Sequence, residues 1–87
     1  METWKNENYK LSITLEFSNF KEAVEFINRL TVEVEILNHH PNICLYNYRY
    51  LKIELFTHHK NAITHIDHQL VEKINELHVR FINNLSD

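Results

Sequence analysis

Glycine is absent from this 87-residue chain. Its absence excludes the glycine-rich phosphate loops of nucleotide-binding proteins, where the backbone approaches a phosphate more closely than a Cβ permits. Cysteine is nearly absent too: Cys44 stands alone and has no partner for an internal disulfide. The first twenty residues carry no basic stretch followed by an apolar run, so no secretory leader is expected. With the lone cysteine, this predicts a reduced, cytoplasmic protein. Long apolar runs are missing, none approaching the roughly 18 residues of a membrane span, and no membrane partner is expected. Cationic excess is missing as well. Nine basic residues against twelve acidic ones leave a net charge of −3, which disfavours direct nucleic-acid binding, because phosphate contacts need clustered Lys and Arg.

What is present suffices for one folded domain. A chain of this length without an internal repeat predicts a single unit over residues 1–87. A 44 % apolar share with five Phe, four Tyr and one Trp is the composition of a globular protein. Each large side chain buried contributes about 1.5 to 3 kcal/mol, against an ordering cost of about 1 to 2 kcal/mol per residue. Small domains have little margin on those terms, and self-association is expected.

Periodicity orders the elements. Tyr9, Leu11, Ile13, Leu15 and Phe17 alternate with Lys10, Ser12, Thr14 and Glu16, which predicts a half-buried strand. Thr3–Lys5, around Trp4, reads as a short partner strand with turn chemistry at Asn6, Glu7 and Asn8. Phe20, Ala23, Val24, Ile27, Leu30, Val34 and Leu37 recur at helical spacing, with Asn19 and Glu22 placed as a capping box. That helix must end before Pro41. Ile43–Tyr46 and Tyr48–Thr57 read as strands joined by a turn near Asn47. A last helix starts at Thr64, capped by its hydroxyl with Asp67 three residues on, and carries a buried stripe of Ile66, Leu70, Ile74, Leu77 and Phe81. The order β-β-α-β-β-α predicts an α+β two-layer sandwich: a four-stranded antiparallel sheet with both helices on one face.

Seven histidines in so short a chain direct attention to chemistry near neutral pH. His39 and His40 stand where the chain turns out of a helix at Pro41, and His58 follows Thr57 at the end of a predicted strand, nine residues before Asp67. Element ends are where loops carry reactive groups. In order and spacing, Glu35, His39-His40-Pro41, Tyr48, His58 and Asp67 resemble the signature of the pterin-4a-carbinolamine dehydratases. Trp4 and the run Phe17-Ser18-Asn19-Phe20-Lys21-Glu22-Ala23 are similar to the same family. The chain departs from it in having Ala62-Ile63-Thr64 where the family has Gly-Leu-Thr, and one extra residue after Pro41. If the family's glycine has positive φ, the loop between His58 and Asp67 takes a different path here.

The resemblance implies a hydro-lyase that dehydrates 4a-hydroxytetrahydrobiopterin to the quinonoid dihydropterin in tetrahydrobiopterin recycling, with no cofactor and no metal. It implies His39, His40 and His58 as catalytic residues, with Asp67 and Glu35 in support and His40, Pro41 and Thr57 against the substrate. The chemistry is consistent with such groups: one acid protonates the departing hydroxyl and one base takes a proton from the neighbouring ring nitrogen. The resemblance equally permits a catalytically idle relative that serves as a protein-binding or assembly module. Simpler readings apply to other residues. Asp67 also fits a helix cap, Glu35 a solvated helix face, Tyr48 and Trp4 core aromatics, and His59, His65, His68 and His78 polar surface. A metal held by some of His39, His40, His58, His59, His65 and His68 is the lesser reading, since only His65 and His68 have a usable local spacing.

Overall fold

The computed structural model describes residues 3–85. Its elements are β1 (Lys5–Glu7), β2 (Lys10–Glu16), α1 (Phe20–Leu37), β3 (Asn42–Tyr46), β4 (Tyr50–Leu55), a single 3₁₀ turn (His58–Lys60) and α2 (His65–Leu85). The strands form one antiparallel sheet in the order β1-β2-β4-β3. Register pairs Leu11 with Leu55, Ile13 with Ile53 and Leu15 with Leu51. Because side chains alternate along a strand, these residues share one face. They join Ala23, Phe26, Leu30 and Val34 of α1 and Leu70, Ile74 and Phe81 of α2 in one buried core, so both helices cover the same side. The α+β sandwich expected from the pattern is the observed fold.

A chain without glycine still has to turn sharply, and asparagine does that work. Among the described residues, four of the six with positive φ are Asn8, Asn38, Asn47 and Asn61, the type of non-glycine residue that best tolerates the left-handed region. Asn8 and Tyr9, at φ 51° and 64°, form the two-residue connection between Glu7 and Lys10, the backbone that suits the twist of a hairpin. This corrects two expectations. The first strand is Lys5–Glu7 rather than Thr3–Lys5, and Tyr9 is a turn residue, 84 % exposed, instead of the first inward residue of β2. In the β3–β4 hairpin, Asn47 and Tyr48 are both left-handed within a three-residue connection between the paired Tyr46 and Tyr50. A residue added at such a tip leaves the inward alternation of Leu51, Ile53 and Leu55 intact. Tyr48 is therefore an exposed tip residue, not a core aromatic.

Helix α1 occupies the predicted span, but its buried stripe is rotated. Asn19 Oδ1 accepts the Glu22 N–H at 2.9 Å, and Glu22 reaches back to the Ser18 N–H at 3.3 Å. The fully buried aromatic is Phe26, while Phe20 is 55 % exposed. The spacing of apolar residues allows either flank of the Ala23-Leu30-Val34 line to face inward. Phe26 is selected because its ring lies 5.2 Å from Phe17 and 5.6 Å from Phe81, favourable separations for tilted aromatic pairs. His78 belongs to the same cluster, edge-on to Phe17 and Phe26 at 6.0 and 5.8 Å. It is half-buried rather than surface polar, and burial pulls its pKa below the usual histidine value. Trp4 packs against the core and donates its indole N–H to Asn75 Oδ1 at 2.9 Å.

The rotation has a measurable consequence. Phe26→Ala is expected to destabilise the fold by about 3 to 5 kcal/mol and Phe20→Ala by about 0.5 kcal/mol or less, compared by urea denaturation. Equal losses would place the buried stripe where the sequence pattern had it.

Candidate active site

Three element ends converge on one carboxylate. Helix α1 closes with Asn38 left-handed at φ 51°. The Asn38 N–H bonds the Glu35 carbonyl and the His39 N–H the Val34 carbonyl, both at 3.2 Å, the paired bonds of a Schellman ending. This turns the chain off the helix axis, and His39 swings to the start of α2. There its Nε2 lies 2.5 Å from Asp67 Oδ1. At the end of β4, Thr57 Oγ1 donates to Asp67 Oδ2 at 2.7 Å, and the Thr64 N–H reaches the same oxygen at 2.9 Å. Asp67 is thus both a helix cap and the centre of a cluster. The Thr64 hydroxyl, expected to cap α2, instead contacts Thr57 Oγ1 at 2.8 Å.

Asp67 has no exposed side-chain surface, and His39 has 13 %. Burial pushes the carboxyl pKa up, but the hydrogen bonds from Thr57 and the Thr64 backbone, together with His39, outweigh it and leave the pKa below the usual carboxylate value. An ionised carboxylate only accepts, so His39 donates from Nε2, and in the neutral ring that tautomer leaves the lone pair on Nδ1. A buried, carboxylate-backed imidazole of this kind can take and return a proton.

The remaining candidates are arranged differently. His40 Nε2 meets Glu35 Oε1 at 2.9 Å, with both side chains more than half exposed. Glu35 therefore pairs with His40 rather than with His39, because the chain leaves helical geometry between them. Both border a recess of about 190 Å³ that is also lined by Ile27, Leu30, Val34 and Pro41. Thr57 is 3 % exposed and its hydroxyl is committed to Asp67 and Thr64, so it holds the site from below instead of facing a ligand. His58 opens the exposed 3₁₀ turn with its ring 5.3 Å from Phe56. Among the described residues no hydrogen bond ties its ring to the His39 cluster. The left-handed residue of its loop is Asn61 at φ 52°, so Ala62 needs no glycine-like conformation. Thr64, which spacing marked only as a cap, is the member that sequence reading missed; a Thr-x-x-Asp start is too common to reveal a second role.

Comparison with known proteins decides the family. Residues 1–77 match the family model described as Pterin 4 alpha carbinolamine dehydratase. The chain belongs to this family. A protein of Sulfolobus acidocaldarius named for it is 39 % identical over 77 residues, covering 88 % of this chain and 84 % of its own. Another from Sulfurisphaera tokodaii is 38 % identical, covering 88 % and 82 %. The crystal structure of a transcriptional coactivator/pterin dehydratase from Brucella melitensis superposes with a TM-score of 0.76 at 25 % identity, covering 85 % of this chain and 80 % of that one. A pterin dehydratase-like protein described as a RuBisCO assembly factor in the alpha-carboxysome shares the fold, with a TM-score of 0.68 at 17 % identity and 87 % of each chain covered. Among the described residues no helix is long and apolar enough to cross a membrane, and no group of three or more His, Cys, Asp or Glu side chains is placed to hold a metal ion.

The depressed Asp67 pKa sets a pH dependence. Because the folded value lies below the unfolded one, near 3.9, the unfolded chain takes up the proton first as pH falls. The contribution of Asp67 is therefore complete above about pH 4 and is lost as pH drops through its folded value. Urea midpoints measured against pH should fall more steeply below about pH 4 in the wild type than in Asp67→Asn. Parallel curves would mean that the carboxylate is not stabilised by its partners.

Proposed function

We propose that this family member dehydrates a 4a-hydroxytetrahydropterin to the quinonoid dihydropterin, as in tetrahydrobiopterin recycling. The observation that carries the reading is the buried His39–Asp67 pair, which leaves Nδ1 of His39 as a base whose conjugate acid sits against a carboxylate. In the proposed step His39 Nδ1 takes the proton from the pterin ring nitrogen beside C4a. That N–H electron pair forms the new C=N bond while the C4a–O bond breaks. A protonated His58 delivers a proton to the departing hydroxyl, which leaves as water, and proton exchange with solvent resets both rings. His40 and Pro41, at the rim of the recess beside α1, serve as ring contacts. Glu35 holds His40, and the exposure of that pair suits groups that must meet a diffusing substrate. No cofactor enters the step. The weak stability expected of a small domain and the edge strand β3, with Ile43 and Tyr46 exposed, support assembly into a homodimer or homotetramer.

The test is a rapid spectrophotometric assay of quinonoid dihydropterin formation from freshly generated 4a-hydroxytetrahydropterin. Wild type should accelerate it, and His39→Ala and His58→Ala should each lose about 10²- to 10⁴-fold. A folded wild type that leaves the spontaneous rate unchanged would remove the catalytic reading.

A second reading, a catalytically idle module that binds protein partners, is favoured by one observation: His58 lies on an exposed turn with no hydrogen bond to the His39 cluster among the described residues. The transcriptional coactivator named for the Brucella melitensis relative is consistent with it. Ligand linkage separates the two, since a site that binds pterin raises the melting temperature when a product analogue is added at a hundred times its Kd, by the equivalent of about 2.7 kcal/mol. An unchanged melting temperature, alongside an absent rate, favours the module. Light scattering at micromolar concentration reads the assembly state, and a strict monomer would overturn the oligomer proposal.

A further inference from the structure

We infer that Thr57 and Thr64 are positioning residues that hold the Asp67 carboxylate and, through it, the ring orientation and tautomer of His39. The inference depends on the dehydratase reading for its effect on turnover; its geometry stands apart from that reading.

Proton accounting gives the cluster a single direction. Oδ2 of Asp67 receives Thr57 Oγ1 at 2.7 Å and the Thr64 N–H at 2.9 Å, and Oδ1 receives His39 Nε2. An ionised carboxylate cannot donate. The one hydroxyl proton of Thr57 is therefore committed to Asp67, and the 2.8 Å contact between the two threonines must run from the Thr64 hydroxyl to the Thr57 oxygen. The chain reads Thr64 to Thr57 to Asp67, with His39 donating from the other side. Reversing any one proton would set two donors or two lone pairs face to face. Thr57 and Asp67 are 3 % and 0 % exposed, so solvent does not relieve such a mismatch. The arrangement permits only the tautomer that leaves Nδ1 of His39 available.

The main chain of Thr57 extends the same control to His58. Thr57 pairs with Ala62 through two backbone hydrogen bonds of 3.0 and 3.4 Å, and its carbonyl also accepts the Lys60 N–H at 3.2 Å. These bonds close the short loop that opens with His58. One residue thus fixes the partner of His39 with its side chain and the base of the His58 loop with its backbone. The competing account is a β-branched strand residue whose hydroxyl is merely satisfied. Under that account valine, of the same shape, would serve as well.

The experiment compares Thr57→Val, Thr57→Ser and Thr64→Val with the wild type, each confirmed as folded by circular dichroism. Two readouts are used: ¹⁵N NMR of the His39 ring, assigned by its loss in His39→Ala, and the pH profile of kcat. Thr57→Val should shift the His39 nitrogens away from the pure Nε2–H pattern and lower kcat by about ten- to a hundredfold, the scale of losing a hydrogen bond to a buried charge. It should also move the acid limb of the profile to higher pH, because Asp67 without that donor protonates sooner. Thr57→Ser, which keeps the hydroxyl, should restore both. Thr64→Val, which removes only the outer bond, should act in the same direction more weakly, and it decides the matter if Thr57→Val does not fold. Valine variants with a wild-type tautomer signal and pH profile would overturn the inference. If the wild type shows no dehydratase activity, the NMR readout still decides the positioning role.

Discussion

An ionised carboxylate with no exposed surface is costly unless every lone pair that matters is met. Asp67 is in that position, and the architecture around it supplies the donors. The end of α1 brings His39, the end of β4 brings Thr57, and the residue just before α2 brings the Thr64 N–H. Removing one partner would leave the others around an imperfectly solvated charge. The three element ends are thus held to one another by the same requirement that fixes the His39 ring, so stability and the proposed proton transfer draw on a single group.

The second constraint is the absence of glycine. Sharp corners in proteins usually fall to glycine because it lacks the Cβ that clashes in the left-handed region. Here Asn38 ends α1, Asn61 closes the His58 loop, and Asn8 and Asn47 open the two hairpins. Two of these corners present proposed site residues: Asn38 directs His39 toward Asp67, and Asn61 completes the turn that carries His58. A non-glycine residue in these places costs a little conformational energy and narrows the paths available to the loop. That narrowing is useful where a ring must be held in one orientation.

The family's fold is shared by proteins named for different roles, including a coactivator and an assembly factor. Function therefore belongs to the site rather than to the sandwich. In this chain the proposed site divides into a buried half, His39 with Asp67 and the two threonines, and an exposed half, His40 with Glu35 and the separate His58 turn. The buried half resembles other histidine sites in which a carboxylate sets the working nitrogen. The exposed half has the adaptability expected of groups that meet a substrate or a partner.

Much was legible in the chain itself. Alternation along Leu11, Ile13 and Leu15 and helical spacing along Leu30, Val34, Leu70 and Ile74 determined the element order and the two-layer class, because periodicity follows directly from backbone geometry. The His39-His40-Pro41 run, with His58 and Asp67, marked the family. What lay beyond reading depends on distance in space. Whether Phe26 or Phe20 turns inward was decided by the rings of Phe17 and Phe81, and whether Tyr9 belongs to a strand by the two-residue turn before β2. The pairing of Asp67 with His39, 28 residues away, and of Glu35 with His40 was set by where α1 lets go of the chain. Local pattern reports which face a residue prefers; only the packed structure decides which neighbours a buried charge will have, since that charge must be met by whichever donors the fold brings within reach.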